Sequence, residues 1–135
     1  MLGSLELQLC DIQGRLFELS GKRNLNGAWF IRAFMMSETA AHLDLPYDRT
    51  QWMGEEYLLE EVLESAGAAP SATPYSQDGL YWIGYTYRYW HIVSDEASRE
   101  IYNRADADFM RRIYPGYHTL DCEYDIERIK ELSAA

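Results

Sequence analysis

The side chains in this chain that could do acid–base, nucleophilic or metal chemistry are three histidines, two cysteines and a run of glutamates. His42, His91 and His118 fall in no HExxH or other paired-His spacing, and Cys10 and Cys122 stand far outside any CxxC or zinc spacing. No metal and no cofactor are expected on that basis. Glu55, Glu56, Glu60, Glu61 and Glu64 share a helical face, with Glu56 and Glu60 one turn apart. A dinuclear carboxylate site would also need Glu-x-x-His motifs on facing helices. Glu38 and His42 are spaced by four and have no second copy, so a solvated face is the simpler role. Cys122 with His118 could form a nucleophile and base, but one cysteine near one histidine is a thin basis for catalysis. The residues therefore point away from an enzyme.

Arg88 is the charged residue that demands an explanation. It sits among Tyr85, Tyr87, Tyr89 and Trp90, where a guanidinium must reach a carboxylate, stack on a ring or reach water. One reading is an internal ion pair or a side chain that snorkels to the surface. The other is an anion pocket in a small enzyme or ligand-binding domain. Arg88, His91 and His118 would line it with Tyr85 and Tyr117, since Pro115-Gly116-Tyr117 before His118 reads as a turn that can face a cleft.

These residues are positioned by helices. The run from 79 to 94, GLYWIGYTYRYWHIVS, holds Tyr81, Trp82, Tyr85, Tyr87, Tyr89 and Trp90. Its alternation would suit a strand, but it exceeds the usual strand of about five or six residues. No other segment offers a partner strand, so a buried central helix is expected. Leu5, Leu9, Ile12, Leu16 and Leu19 form a helical stripe after an N-cap at Ser4, with Gly21 as the stop. Asn26 caps a helix on Trp29, Phe30, Ala33, Phe34 and Met36, which continues or restarts at Ser37 and ends before Pro46. A capping box at Asp48–Gln51 opens a helix on Trp52, Leu59, Leu63 and Ala66, closed by Gly67.

Residues 67–78, GAAPSATPYSQD, read as a surface connection between two helical halves. Beyond the central helix, Ser94 is the expected N-cap for a helix on Ala97, Ile101 and Ala105. Asp106 or Asp108 caps a short one on Phe109, Met110, Ile113 and Tyr114, stopped by Pro115-Gly116. Thr119 caps the last, on Cys122, Ile126 and Ile129, where Glu127 and Lys130 form an exposed pair. The sum is an all-α, single-domain orthogonal bundle of about six to seven helices over residues 1–135.

Composition narrows the partners. The formal net charge is −10 over 135 residues, with 47% hydrophobic and 14% aromatic residues. That is a folded domain whose acidity disfavours nucleic acid and anionic membrane and favours a basic protein partner. SETAAHLDLPYDRTQW has the outline of a helix-turn-helix, but its second helix carries glutamates that phosphate would repel. No apolar run reaches membrane-span length and no signal peptide is visible, so free thiols in a reducing cytoplasm are expected. Association into a homo-oligomer is left open.

Two segments carry a resemblance: FIRAFMMSETAAHLD…QWMGEEYLLEEV, and LYWIGYTYRYWHIVSDEASREIYNRADADFMRRIYPGYHTLDCEYDIERI, with YRYW, SREIY and YHTLD its most specific strings. Together they cover most of the chain after the first helix. This pattern resembles a family of small uncharacterised bacterial proteins encoded beside toxin–antitoxin or phage-defence genes. The resemblance implies a cytoplasmic bacterial domain that acts through a protein partner, as an antitoxin would, and it brings no active site with it. The expectation is thus an acidic, helical protein-interaction module that neutralises or regulates a partner.

Overall fold

The structure, a computed structural model, describes residues 2–72 and 75–134. Among these the chain forms α1 (Ser4–Lys22), α2 (Gly27–Met35), α3 (Glu38–Asp44), a 3₁₀ turn (Arg49–Trp52), α4 (Glu55–Ala66), α5 (Gln77–Ser94), α6 (Ser98–Arg104), α7 (Ala107–Tyr117) and α8 (Cys122–Ser133). No strand occurs among the described residues. The aromatic run is the helix the sequence predicts. Within α5 no residue from Gly79 to Ile92 is exposed, and Leu80, Ile83, Tyr87 and Trp90 enter the core fully. An apolar surface on nearly every side needs neighbours on nearly every side.

α1 is the neighbour that runs longest against α5. A Cβ added at Gly84 would lie 2.5 Å from the carbonyl oxygen of Gln13 and 2.8 Å from the Phe17 ring. One added at Gly14 would lie 2.8 Å from the Tyr81 ring. The two glycines are notches through which the backbones approach, and Gln13 Nε2 donates to the Gly84 carbonyl at 3.0 Å across the gap. Phe17 then meets Phe30, Phe34 and Tyr87 edge-on, with ring centroids 5.9, 5.5 and 6.3 Å apart, and so ties α2 to the pair.

Several boundaries differ from the sequence expectation, each for a local reason. The N-cap of α1 is Gly3, whose N–H is taken by the Glu6 carboxylate at 2.8 Å, and Gly21 lies inside the helix. Asp48 caps the 3₁₀ turn through Thr50, while Gln51 reaches back to the carbonyls of Leu43 and Leu45. α4 therefore starts only at Glu55, after Gly54 at φ 84°, and buries Leu58, Leu59 and Val62, leaving Trp52 outside. Ser94 closes α5 by donating to the Trp90 carbonyl, and α6 is capped by Glu100 accepting from the Ala97 N–H. Pro115 and Gly116 lie within the last turn of α7, bridged by the His118 N–H to the Tyr114 carbonyl at 3.0 Å. Asp121, not Thr119, caps α8, and Lys130 pairs with Glu96 at 3.2 Å instead of Glu127. Asn26 and Asp106 cap α2 and α7 as expected.

Along the 67–78 connection, residues 67–72 are exposed and the Ser71 carbonyl accepts from Asn26; α5 has begun by Gln77, and residues 73 and 74 lie outside the described residues. Glu96 is drawn into the structure by several donors. Burial alone would raise its pKa, but hydrogen bonds from Trp90, Lys130, Arg104 and Ser94 prevail and bring it down to about 2.

One buried charge has no such support. Asp125 on α8 is 0% exposed, and neither carboxylate oxygen has a hydrogen-bond partner. Burial first, then the neighbouring Asp121 charge, pushes its pKa up to about 6. A raised acid pKa means that the folded chain binds the proton more tightly than the unfolded one. The ionised carboxylate therefore costs stability in full above pH 6, on the order of 3 kcal/mol at 1.36 kcal/mol per pKa unit, and this cost is relieved as the pH falls toward the ordinary value of 3.8. Asp125→Asn is expected to raise the melting temperature at pH 7.5, with a gain that shrinks through pH 6 and is gone near pH 4. Thermal melts of both proteins across that range check it, and an equal gain at every pH would contradict it.

Candidate functional site

The geometry around Arg88 is a closed polar knot. α5 carries the arginine inward, 2% exposed, against α1, α3 and the start of α6. Its Nη1 donates to Asp44 Oδ1 at 2.7 Å, its Nε to Gln13 Oε1 at 2.8 Å, and its Nη2 reaches Ser98 Oγ at 3.4 Å. Asp44 is engaged on both oxygens. Ser98 Oγ donates to Oδ1 at 2.7 Å, and the Ser98 N–H, in the first turn of α6, donates to Oδ2 at 2.8 Å. Burial lowers the Arg88 pKa, and the Asp44 charge opposes that shift. The guanidinium is therefore an internal ion pair, the first of the two readings of the sequence.

His91 completes the knot from the next turn of α5. Its ring nitrogens lie 3.1 Å from the Asp44 carbonyl oxygen and 2.6 Å from that of Glu96. Together with Gln51, it takes up the carbonyls of residues 43 to 45, which the end of a short helix leaves without intrahelical partners.

Above this knot lies a groove of about 570 Å³ between the N-terminal half of α1, the α3–3₁₀ segment and the C-terminal end of α5. Leu5, Leu9, Ile12, Leu45, Trp52 and Ile92 give it an apolar lining, and Glu6, Glu55 and Asp95 stand around it. Arg15 is the exposed cation at the same edge, and it is bound to Asp11 at 3.2 Å and reaches Glu55 at 4.0 Å. Two aromatics mark the mouth: Trp52 is 63% exposed, and Tyr47 is 90% exposed. Tyr47 also holds a φ of 61°, a left-handed conformation that costs a bulky residue about 1–3 kcal/mol and is concentrated at functional segments.

The residues singled out from sequence do not meet in one cavity. Arg88 and His91 lie under the groove. His118 and Tyr85 line a separate recess on another face, where His118 stacks on Tyr114 with centroids 4.5 Å apart. Tyr117, at the end of α7, holds the Arg128 guanidinium. Cys122 sits near Cys10, and burial pushes both thiols up to about 12, which removes the thiolate a nucleophile needs. Among the described residues no group of three or more His, Cys, Asp or Glu side chains could hold a metal ion. Gln13, Asp44 and Ser98 were missed. Their only sequence signal is that an arginine in an aromatic helix needs acceptors from somewhere.

Fold and groove thus define an all-α bundle with an apolar, acid-edged groove over a buried ion pair; none of its helices, among the described residues, is long and apolar enough to cross a membrane. Compared with protein-family models, with curated proteins and with solved structures, the chain matches none.

Removing one partner of a buried ion pair strands the other, at a cost of about 3–5 kcal/mol. Asp44→Asn and Arg88→Met are each expected to destabilise the protein by that order. The double variant is expected to be more stable than the sum of the two losses, because no lone charge remains. Urea denaturation of the four proteins measures the coupling. Strictly additive losses would show that the pair is not the anchor described.

Proposed function

We propose that this protein is a non-enzymatic interaction module whose groove takes an amphipathic, basic segment of a partner protein. The observation that carries the reading is the groove itself: a long apolar trough with Tyr47 and Trp52 presented at its mouth and carboxylates along its edges. Apolar side chains of an incoming helix would lie in the trough at helical spacing, and its lysines or arginines would meet Glu6, Glu55 and Asp95. The net charge of −10 favours the same kind of partner at longer range and speeds the encounter. A cytoplasmic setting agrees with two free cysteines. The antitoxin-like role implied by the resemblance is one form of this reading, with the product of an adjacent gene as the partner.

The test uses Tyr47→Ala/Trp52→Ala, which alters only exposed side chains and is expected to leave the melting temperature unchanged. Calorimetry with a synthetic Leu/Lys amphipathic helix, and with the adjacent gene product, is expected to show affinity falling about tenfold or more in the variant, the loss that truncating an aromatic anchor brings. Affinity should also fall as salt rises, and a Leu/Glu helix should not bind. Equal binding by variant and wild type, or equal binding of the acidic helix, would refute the reading.

A further inference from the structure

On a different face, α1, α5 and α7 border a second recess of about 570 Å³ that is broadly open to solvent and lined largely by aromatic rings. Tyr81 and Tyr85, one turn apart on α5, form one wall, with centroids 6.0 Å apart and planes tilted by 33°. Trp82 meets Tyr114 edge-on at 5.7 Å, and Tyr114 stacks on His118 to form the other wall. The rings are held in place before any ligand arrives. The Tyr81 hydroxyl donates to Asp11 Oδ1 at 2.5 Å, and Tyr114 and His118 are further joined by the ring Nδ1 of His118, 2.9 Å from the Tyr114 carbonyl.

The charges around the recess are mostly negative: Asp11, Glu18 and Asp78 against Arg15. Arg15 is already engaged by Asp11 and Glu55, and Glu18 by Lys22 at 3.5 Å. Asp78 makes no hydrogen bond or ion pair among the described residues, although it lies beside the Trp82 and Tyr81 walls. Ring faces with carboxylates behind them attract a cation. They do not suit a metal ion, which wants several oxygen ligands at fixed distances, nor an anion, which the carboxylates would repel. The cation that fits rings instead of ligands is one with diffuse charge, little hydration and no hydrogen to donate.

We propose that this recess binds a quaternary ammonium head group, seated between the Tyr81/Tyr85 and Trp82/Tyr114 walls with Asp78 as its counter-charge. The site shares no wall residue with the groove apart from Arg15, so it stands or falls independently of the interaction reading. Choline and 3,3-dimethylbutan-1-ol, which have the same shape but differ in charge, separate the cation from the apolar contribution. Titration of the full chain by NMR is expected to show choline shifting the Trp82 side-chain signal and binding about fivefold or more tighter than the neutral alcohol, the range a cation–π contact supplies. Asp78→Asn, a near-isosteric change at an exposed side chain in the first turn of α5, should weaken choline about threefold while leaving the alcohol unaffected. Trp82→Leu should weaken choline further, and tetramethylammonium chloride should compete with choline where sodium chloride at equal ionic strength does not. Equal binding of alcohol and choline, indifference to Asp78→Asn, or no detectable choline binding would each overturn the proposal.

Discussion

The structure depends first on how closely α1 and α5 approach. At Gly84 the backbone of α5 rests against the Gln13 carbonyl and the Phe17 ring, and at Gly14 the backbone of α1 rests against Tyr81. Two helices with ordinary side chains at those points would sit further apart. Because they do not, Gln13 reaches both the Gly84 carbonyl and the Arg88 guanidinium, and Phe17 can face Tyr87 across the seam. Glycine inside a helix costs about 1 kcal/mol relative to alanine, so its presence in the middle of each helix is offset by what the approach permits.

The ion pair follows from that approach. Arg88 collects Gln13 from α1, Asp44 from the end of α3 and Ser98 from the start of α6, so four helices meet at one guanidinium. A buried pair of this kind is a poor source of net stability, since the desolvation of both charges offsets most of their attraction. It is a strong source of geometry. In this arrangement the guanidinium fork and both Asp44 oxygens are satisfied at once. The arrangement also fixes the stretch after Asp44, where Pro46, the strained Tyr47 and the 3₁₀ turn follow. The rigid floor and the exposed aromatic mouth of the groove are thus two ends of one construction.

Much of this was legible in the sequence. The Leu5–Leu19 stripe, the Asn26 cap and the length of the aromatic run gave helices, and an all-α bundle followed. The boundaries were less legible where two local signals competed. Pro115-Gly116 reads as a stop, yet α7 runs through it to Tyr117: the fixed φ of proline suits a helix, and this close to the end the cost is the single N–H donor missing at residue 115. Trp52 falls in register with Leu59, but the Asp48–Thr50 cap and Gln51 consume the turn before it and leave the ring outside. The site was least legible. That Arg88 needs an acceptor is a local fact, while the identity of Asp44 as that acceptor is a property of the whole fold. His91 and His118 are separated because α5 and α7 present them on different faces, which their sequence positions do not reveal.

The most direct test of the close α1–α5 seam is the melting temperature of Gly84→Ala compared with Gly116→Ala. Gly116 lies in α7 with nothing within 4 Å of an added Cβ, whereas at Gly84 the Cβ would meet backbone at 2.5 Å. Helix propensity favours alanine at both, by about 1 kcal/mol, and overpacking of a tight seam costs about 1–3 kcal/mol or more. The account predicts opposite signs: Gly116→Ala melts higher than the parent and Gly84→Ala melts well below it. A Gly84→Ala protein as stable as the parent, or more so, would contradict it.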